Sequence, residues 1–422
     1  MTNAGVQTEV TSAYLTSRGA ARALMATAAL AVTLFLTMAS SVTVTGGLVA
    51  EEATATPKAY HALLVLAGLG VLARGKIARP RAEVLVYFGV TVASTLLAYL
   101  IYEPRVAGIK LLIALYAALV ATSLGYVANR DIVLRAWRAA GVAFAIVVTL
   151  KNLTHVPAFI AFLARPFGHP DVPSLAGGGL NLEATWLALS SFFMIGTVFF
   201  VPVTLLAAAT SALYASRVGV VIAVMALCGA VAHAWGVGRI KAPPHRQSIN
   251  RAHVFVRRIV ALVFVATSIG VAAAVVRTAR QYGDATYVAQ RFGTIGEDPG
   301  SVGRLVLWRG GLRVFEENPL GVGAGNAVPT LRRVLGVDVP EDNLHNIYLQ
   351  HAVETGIPGL AALLLLAAVI ARRVVRSRCR DQLLLFVAAY LVAGLIQFSG
   401  VDVIFWLAYG LQSGLASQGA DV

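Results

Sequence analysis

The feature that most constrains this chain is its punctuation: long apolar runs recur along it, separated by short loops rich in arginine and lysine. A bilayer core about 30 Å thick takes ~20 apolar residues per helical span. Backbone inside that core must satisfy its own hydrogen bonds, so such runs fold as helices. The 422 residues leave room for roughly twelve of them. Charged residues make up 13% of the chain, against about a quarter in soluble domains, and mean hydropathy is +0.76. The expected fold class is an all-α polytopic membrane protein with about 12 transmembrane helices and one large, partly helical loop outside the membrane.

A net charge of +14 would suit a nucleic-acid binder if it formed a patch, but here it is spread over short loops. Arg18 and Arg22, the Arg74–Arg81 loop, Arg130 to Arg138, the Arg239–Arg258 loop and Arg372 to Arg380 hold 20 of the 34 Lys and Arg. Loops of that kind stay cytoplasmic. Both termini are therefore expected inside a bacterial inner membrane, and the polar interval Arg277–Glu354 outside, in the periplasm. The first apolar run (about Ala23–Leu48) looks like a signal peptide, but the runs after it make it an uncleaved first helix. Residues 1–276 are expected to hold nine spans and a short periplasmic loop near 164–182. Residues 277–356 form the large periplasmic loop, and 357–422 the last three spans. The orientation hangs on residues 183–215, which carry no charge after Glu183; they are read as a hairpin of two spans turning near Pro202. Cys228 lies in an apolar run and Cys379 in a basic one, so no disulfide framework is expected.

The large loop contains eight arginines and no lysine. The planar guanidinium holds phosphate through two parallel hydrogen bonds and keeps its charge, so Arg291, Arg304 and Arg309 suit a diphosphate. Pairing with the loop's own acids, Glu316 and Glu317 among them, is the ordinary alternative. Arg217 stands at a membrane boundary, where a charge is costly unless partnered or used. The glycine-rich stretch Asn318–Asn326 does not complete GxGxxG; it is expected to be a turn whose glycines let backbone pass close to a ligand or a helix. Asp342 or Asn343 is expected to cap a helix that runs to Thr355, with Gly356 as its stop and Pro358 beyond. His345 then falls in the first turn, where the helix dipole keeps its ring neutral and able to accept a proton. A hydrogen-bonded cap is the other reading of the same histidine. At about 100° per residue, His351 and Glu354 point away from His345, and HExxH is absent, so no metal site is expected.

Together, the segment Ser301–Trp308, the Asn318–Asn326 loop and His345–Gly359 (HNIYLQHAVETGIPG) resemble the signature of the O-antigen ligase and O-antigen polymerase superfamily. Ser216-Arg217-x-Gly219, ahead of an apolar run, resembles its upstream landmark. The resemblance covers roughly residues 180–370. It implies an inverting, metal-independent glycosyltransferase without a cofactor, its active site facing the periplasm. The implied donor is a glycan on undecaprenyl diphosphate, and the ligase's acceptor is a sugar hydroxyl of lipid A–core. By position, His345 is the implied base, Arg217 and Arg304 the implied diphosphate ligands, with Arg309 or Arg291 sharing that role, and Asn346 and Trp308 in support. A polymerase with a second lipid-linked glycan as acceptor is the near alternative. A protein O-oligosaccharyltransferase is disfavoured by the lack of a large C-terminal periplasmic domain. A transporter is disfavoured by the scarcity of ionisable residues in the apolar runs.

Overall fold

The computed structural model describes residues 3–43, 57–105, 108–164, 170–214, 216–238, 299–336, 343–397 and 402–418. Among them all regular structure is helical, apart from an isolated bridge between Thr43 and Lys58. The helices are α1 (Asn3–Met38), α2 (Ala59–Ala73), α3 (Ala82–Ala98), α4 (Ile109–Val127), α5 (Arg130–Thr154), α6 (Val156–Ala164) and α7 (Gly179–Met194). They continue with α8 (Phe200–Leu213), α9 (Arg217–Gly238), α10 (Pro299–Glu317), α11 (Ala327–Leu335), α12 (Ile347–Arg376), α13 (Gln382–Ala393) and α14 (Val403–Gln418). Arg291 and the span expected at about 259–276 lie outside the described residues.

Three helices, α4, α5 and α12, are long and apolar enough to cross a membrane by length and composition. Shorter apolar helices, α2, α3, α8 and α13 among them, pack alongside. The outer surface carries a belt of leucines, including Leu66, Leu69, Leu96, Leu112, Leu150 and Leu153, each more than half exposed. Such a surface suits hydrocarbon rather than water. The interior is packed with aromatics: Trp137 stacks on Phe193 with ring centroids 4.3 Å apart, and Phe386 lies against both. Helices α4 and α14 touch backbone to backbone. A Cβ on Gly414 would stand 2.2 Å from the Thr122 carbonyl oxygen, and one on Gly125 would stand 2.3 Å from that of Leu411. Small residues allow this close approach where no water-driven force holds helices together.

Side-chain contacts sort the helix ends into two groups. At one end lie the arginines: Arg373 binds Glu83 at 2.5 Å and the Tyr409 hydroxyl at 2.7 Å, and Arg130 pairs with Asp381. Arg138 donates to the Phe193 carbonyl and to Gln382, whose own amide donates to the Ile195 carbonyl. At the other end the loops after α1, α3, α6 and α10 meet. Ser41 N–H donates to the Leu175 carbonyl, and the Tyr99 hydroxyl donates to that of Ala324.

Residues 183–214 form a helical hairpin. Helices α7 and α8 are joined by a turn at 195–199, and Glu183 near the start of α7 meets Tyr214 just past the end of α8 at 2.6 Å. The turn lies at Ile195–Phe199, just ahead of Pro202 in the first turn of α8. The fifth run begins earlier than its apolar residues suggest. Asn129 caps α5 by accepting from Asp131 N–H at 2.8 Å, so Arg130, Arg135 and Arg138 sit on helix rather than in a loop.

Candidate active site

The loop-side cluster is built around a break in α12. Gly356, with φ 67° and ψ −166°, interrupts the helix, as the expected stop before Pro358 requires. The glycine loop docks on this break. Val322 and Gly323 N–H donate to the carbonyls of Val353 and Glu354 at 2.9 and 2.8 Å, and Ile357 N–H donates to that of Pro319. A Cβ on Gly356 would lie 2.4 Å from the Leu320 carbonyl carbon, and one on Gly321 would lie 2.5 Å from the Glu354 carbonyl oxygen. Of the two expectations for the glycines, close approach to a helix is therefore the one realised. Gly356→Ala should lower stability by about 1–3 kcal/mol, because its positive-φ, extended-ψ backbone is open essentially to glycine alone, with the backbone clash in addition. A melting temperature equal to wild type in detergent would refute this account of the break.

His345 sits beside this junction, and its position corrects the expected one. It is not in the first helical turn. It lies just before the N-cap, in the left-handed region at φ 50°. Asn346 is the cap, its side chain accepting from both Tyr348 and Leu349 N–H at 3.0 Å, which satisfies two of the helix's free donors. Asn343 instead accepts the His345 N–H at 2.8 Å, folding a local turn. The cap that sequence placed at Asp342 or Asn343 thus falls three or four residues later.

Trp308 acts on the neighbouring residue. Its indole N–H donates to the Leu344 carbonyl at 2.9 Å, tying α10 to the turn that holds His345. On the other side the Leu344 N–H donates to Gln350 Oε1 at 3.0 Å. The residue before His345 is held through both its backbone groups. Arg304 lies one turn before Trp308 on α10 and, at i,i+4 spacing, shares its face. Arg309 is about 100° round the helix from Trp308 and exposed.

Arg217 reaches the same end of the bundle by another route. A buried ion pair between Lys151 and Glu183 at 2.6 Å holds α5 to α7, and the Tyr214 hydroxyl donates to Asn152 and Glu183, both at 2.6 Å. Ser216 N–H then donates to the Ser211 carbonyl, and α9 starts at half-buried Arg217. A Cβ on Gly219 would come 2.1 Å from the Ser211 hydroxyl. In the Ser216-Arg217-x-Gly219 landmark, the glycine is therefore where α9 crosses α8, which fixes where Arg217 emerges.

Sequence reasoning missed a second polar group on α12. Gln350, His351 and Glu354 are spaced i,i+3 and i,i+4, so they share one helix face, and that face is buried rather than solvated. Gln350 donates to Glu354 at 2.6 Å, and His351 Nε2 and the Tyr87 hydroxyl share a 2.5 Å hydrogen bond. Their spacing is legible in the sequence, but that this face is buried depends on α3 packing beside it and supplying Tyr87. Among the described residues no group of three or more His, Cys, Asp or Glu could hold a metal ion.

Residues 183–364 match the family model of the O-antigen ligase. The match takes in Arg217, Arg304, Trp308, His345 and the Gly356 break alike. No curated protein matches the chain. Over residues 183–364 the chain is thus similar to the O-antigen ligase family.

Proposed function

We propose that this protein is an inner-membrane O-antigen ligase, transferring a glycan from undecaprenyl diphosphate to a sugar hydroxyl of lipid A–core. The observation that carries the reading is the clamped turn: Trp308, Asn343 and Asn346 hold His345 outside the helix, with Arg304 on the same face of α10 as Trp308. In this reading the His345 imidazole takes the proton of the acceptor hydroxyl as its oxygen attacks the anomeric carbon of the donor. The bond from that carbon to the diphosphate oxygen breaks on the opposite face, inverting the configuration. Arg304 and Arg217, with Arg309 or Arg291 as further candidates, neutralise the charge left on the diphosphate. Asn346 and Trp308 position the base. Reconstitution with the lipid-linked glycan and lipid A–core is the test. Lipopolysaccharide as product supports the ligase, whereas longer lipid-linked chains would make the protein a polymerase.

Arginines can carry out the charge neutralisation by themselves, so transfer should survive EDTA in washed proteoliposomes. Loss under EDTA with recovery on adding Mg²⁺ would refute this part of the reading. The loop end of the bundle is proposed to face the periplasm, because the opposite end carries Arg130, Arg138 and Arg373. A cysteine replacing exposed Glu316 in a variant lacking Cys228 and Cys379 should react with an impermeant thiol reagent added from the periplasmic side. Reaction only after the inner membrane is opened would reverse the orientation.

A further inference from the structure

At the loop end, α1, α2, α3, α4, α7, α11, α12, α14 and the glycine loop line a cavity of about 220 Å³. His345, Arg217, Arg304 and Arg309 do not line it. Gln350 forms the wall between the cavity and the His345 turn, one end on Leu344 N–H and the other on Glu354. Glu354 is held in place by Gln350 and by Gly325 N–H, which donates to the same carboxylate oxygen at 3.0 Å. His351 is held by Tyr87. Gln350 and His351 are only 5% and 7% exposed. Polar groups buried this deeply in an apolar bundle are costly unless they have a use.

The mixture of groups in the wall selects a ligand chemistry. Glu354 and Asp402 supply acceptors, Lys58 and Lys110 supply donors, and Gln350 and Thr37 supply both. A phosphate offers only acceptor oxygens and negative charge, and Glu354 and Asp402 offset Lys58 and Lys110, so the wall has no excess of cations to hold one. An acyl chain would leave every one of these groups without hydration. A sugar ring has a donor and an acceptor at each hydroxyl, and its C–H faces suit aromatic walls such as Trp186 and Tyr60. The cavity exceeds the ~150 Å³ that admits a benzene, which leaves room for one ring with its hydroxyls. We propose that this cavity is a sugar subsite, holding one pyranose ring of a glycan substrate beside the His345 turn.

The subsite rests on reading the chain as a glycosyltransferase. The ring could belong to the acceptor or to the lipid-linked donor, and kinetics separate them. Lys110→Gln changes an exposed side chain on the cavity wall, and Glu354→Gln keeps the shape and the acceptor oxygen facing Gly325. Each full-length variant is reconstituted, its melting temperature is compared with wild type, and acceptor and donor are titrated in turn with the other saturating. Loss of a charge-assisted hydrogen bond should raise one KM about tenfold or more, with kcat little changed. The substrate whose KM rises is the one that supplies the ring. Active wild type with both KM values unchanged in both folded variants overturns the subsite alone, as does a fall in kcat without a change in KM. Wild type that transfers nothing overturns the glycosyltransferase reading and the subsite with it.

Discussion

His345→Asn should give a folded, donor-binding protein that transfers little glycan. A sugar hydroxyl is a weak nucleophile, and a positioned general base is typically worth about 10²–10⁴ in rate. Histidine, with an ordinary pKa near 6.5, is largely neutral at neutral pH and can take the proton. Asparagine is the informative replacement here because of the backbone. His345 occupies the left-handed region at φ 50°, which asparagine tolerates better than most residues. Three contacts of the turn, the His345 N–H on Asn343, the Trp308 indole on the Leu344 carbonyl and the Asn346 cap on Tyr348 N–H, do not use the imidazole. The substitution therefore removes the proton acceptor while leaving these three contacts. Donor binding, measured separately with the lipid-linked glycan, should stay near wild type. Transfer at close to the wild-type rate would end the assignment of His345 as base.

Arg217→Lys is expected to cost one to two decades of rate with normal expression. Lysine keeps the charge but loses the flat fork that grips two phosphate oxygens together. One lost charge-assisted contact is worth about 1.5–3 kcal/mol, or roughly 10- to 100-fold in rate. The start of α9 is held by Ser216 N–H on the Ser211 carbonyl and by the fit of Gly219 against Ser211. Lysine at 217 leaves both untouched, so a rate loss reports the guanidinium rather than a displaced helix. Wild-type turnover in a folded Arg217→Lys protein would reduce Arg217 to an anchor at the membrane edge.

The two variants probe residues delivered by different parts of the fold. Arg217 comes from α9, which is set by the buried Lys151–Glu183–Tyr214 node. His345 comes from the turn just ahead of α12, which Trp308 of α10 clamps. Arg304 shares the Trp308 face of α10, so Arg304→Lys should follow Arg217→Lys in direction if both grip one diphosphate. Arg309→Lys should matter far less, since Arg309 is exposed and turned away from that face.

What the sequence by itself determined are the properties that depend on neighbours along the chain. Runs of apolar residues specify helices suited to a membrane, because each such helix satisfies its own backbone wherever it ends up. The uncharged stretch after Glu183 was long enough for two helices, and the hairpin at 195–199 is what it forms. Gly356 and Pro358 announced a break, since only glycine takes that backbone angle without strain. The motif residues from Ser216 to Gly359 were enough to point to the O-antigen ligase family, whose model they match.

Only the tertiary structure decided between competing local choices. Asp342, Asn343 and Asn346 can all cap a helix. Asn346 does so because Trp308 and Gln350, far away or on the opposite side, take both backbone groups of Leu344 and fix the turn before it. That contact moved His345 out of the helix. Spacing puts Arg304 and Trp308 on one face of α10 and Arg309 off it, but only the contact of Trp308 with Leu344 showed which face meets the His345 turn. The cavity was invisible for the same reason: its wall comes from eight helices and a loop brought together at one end of the bundle. A side chain's position on its own helix is written in the spacing of residues, but what that side chain faces depends on which helices pack beside it.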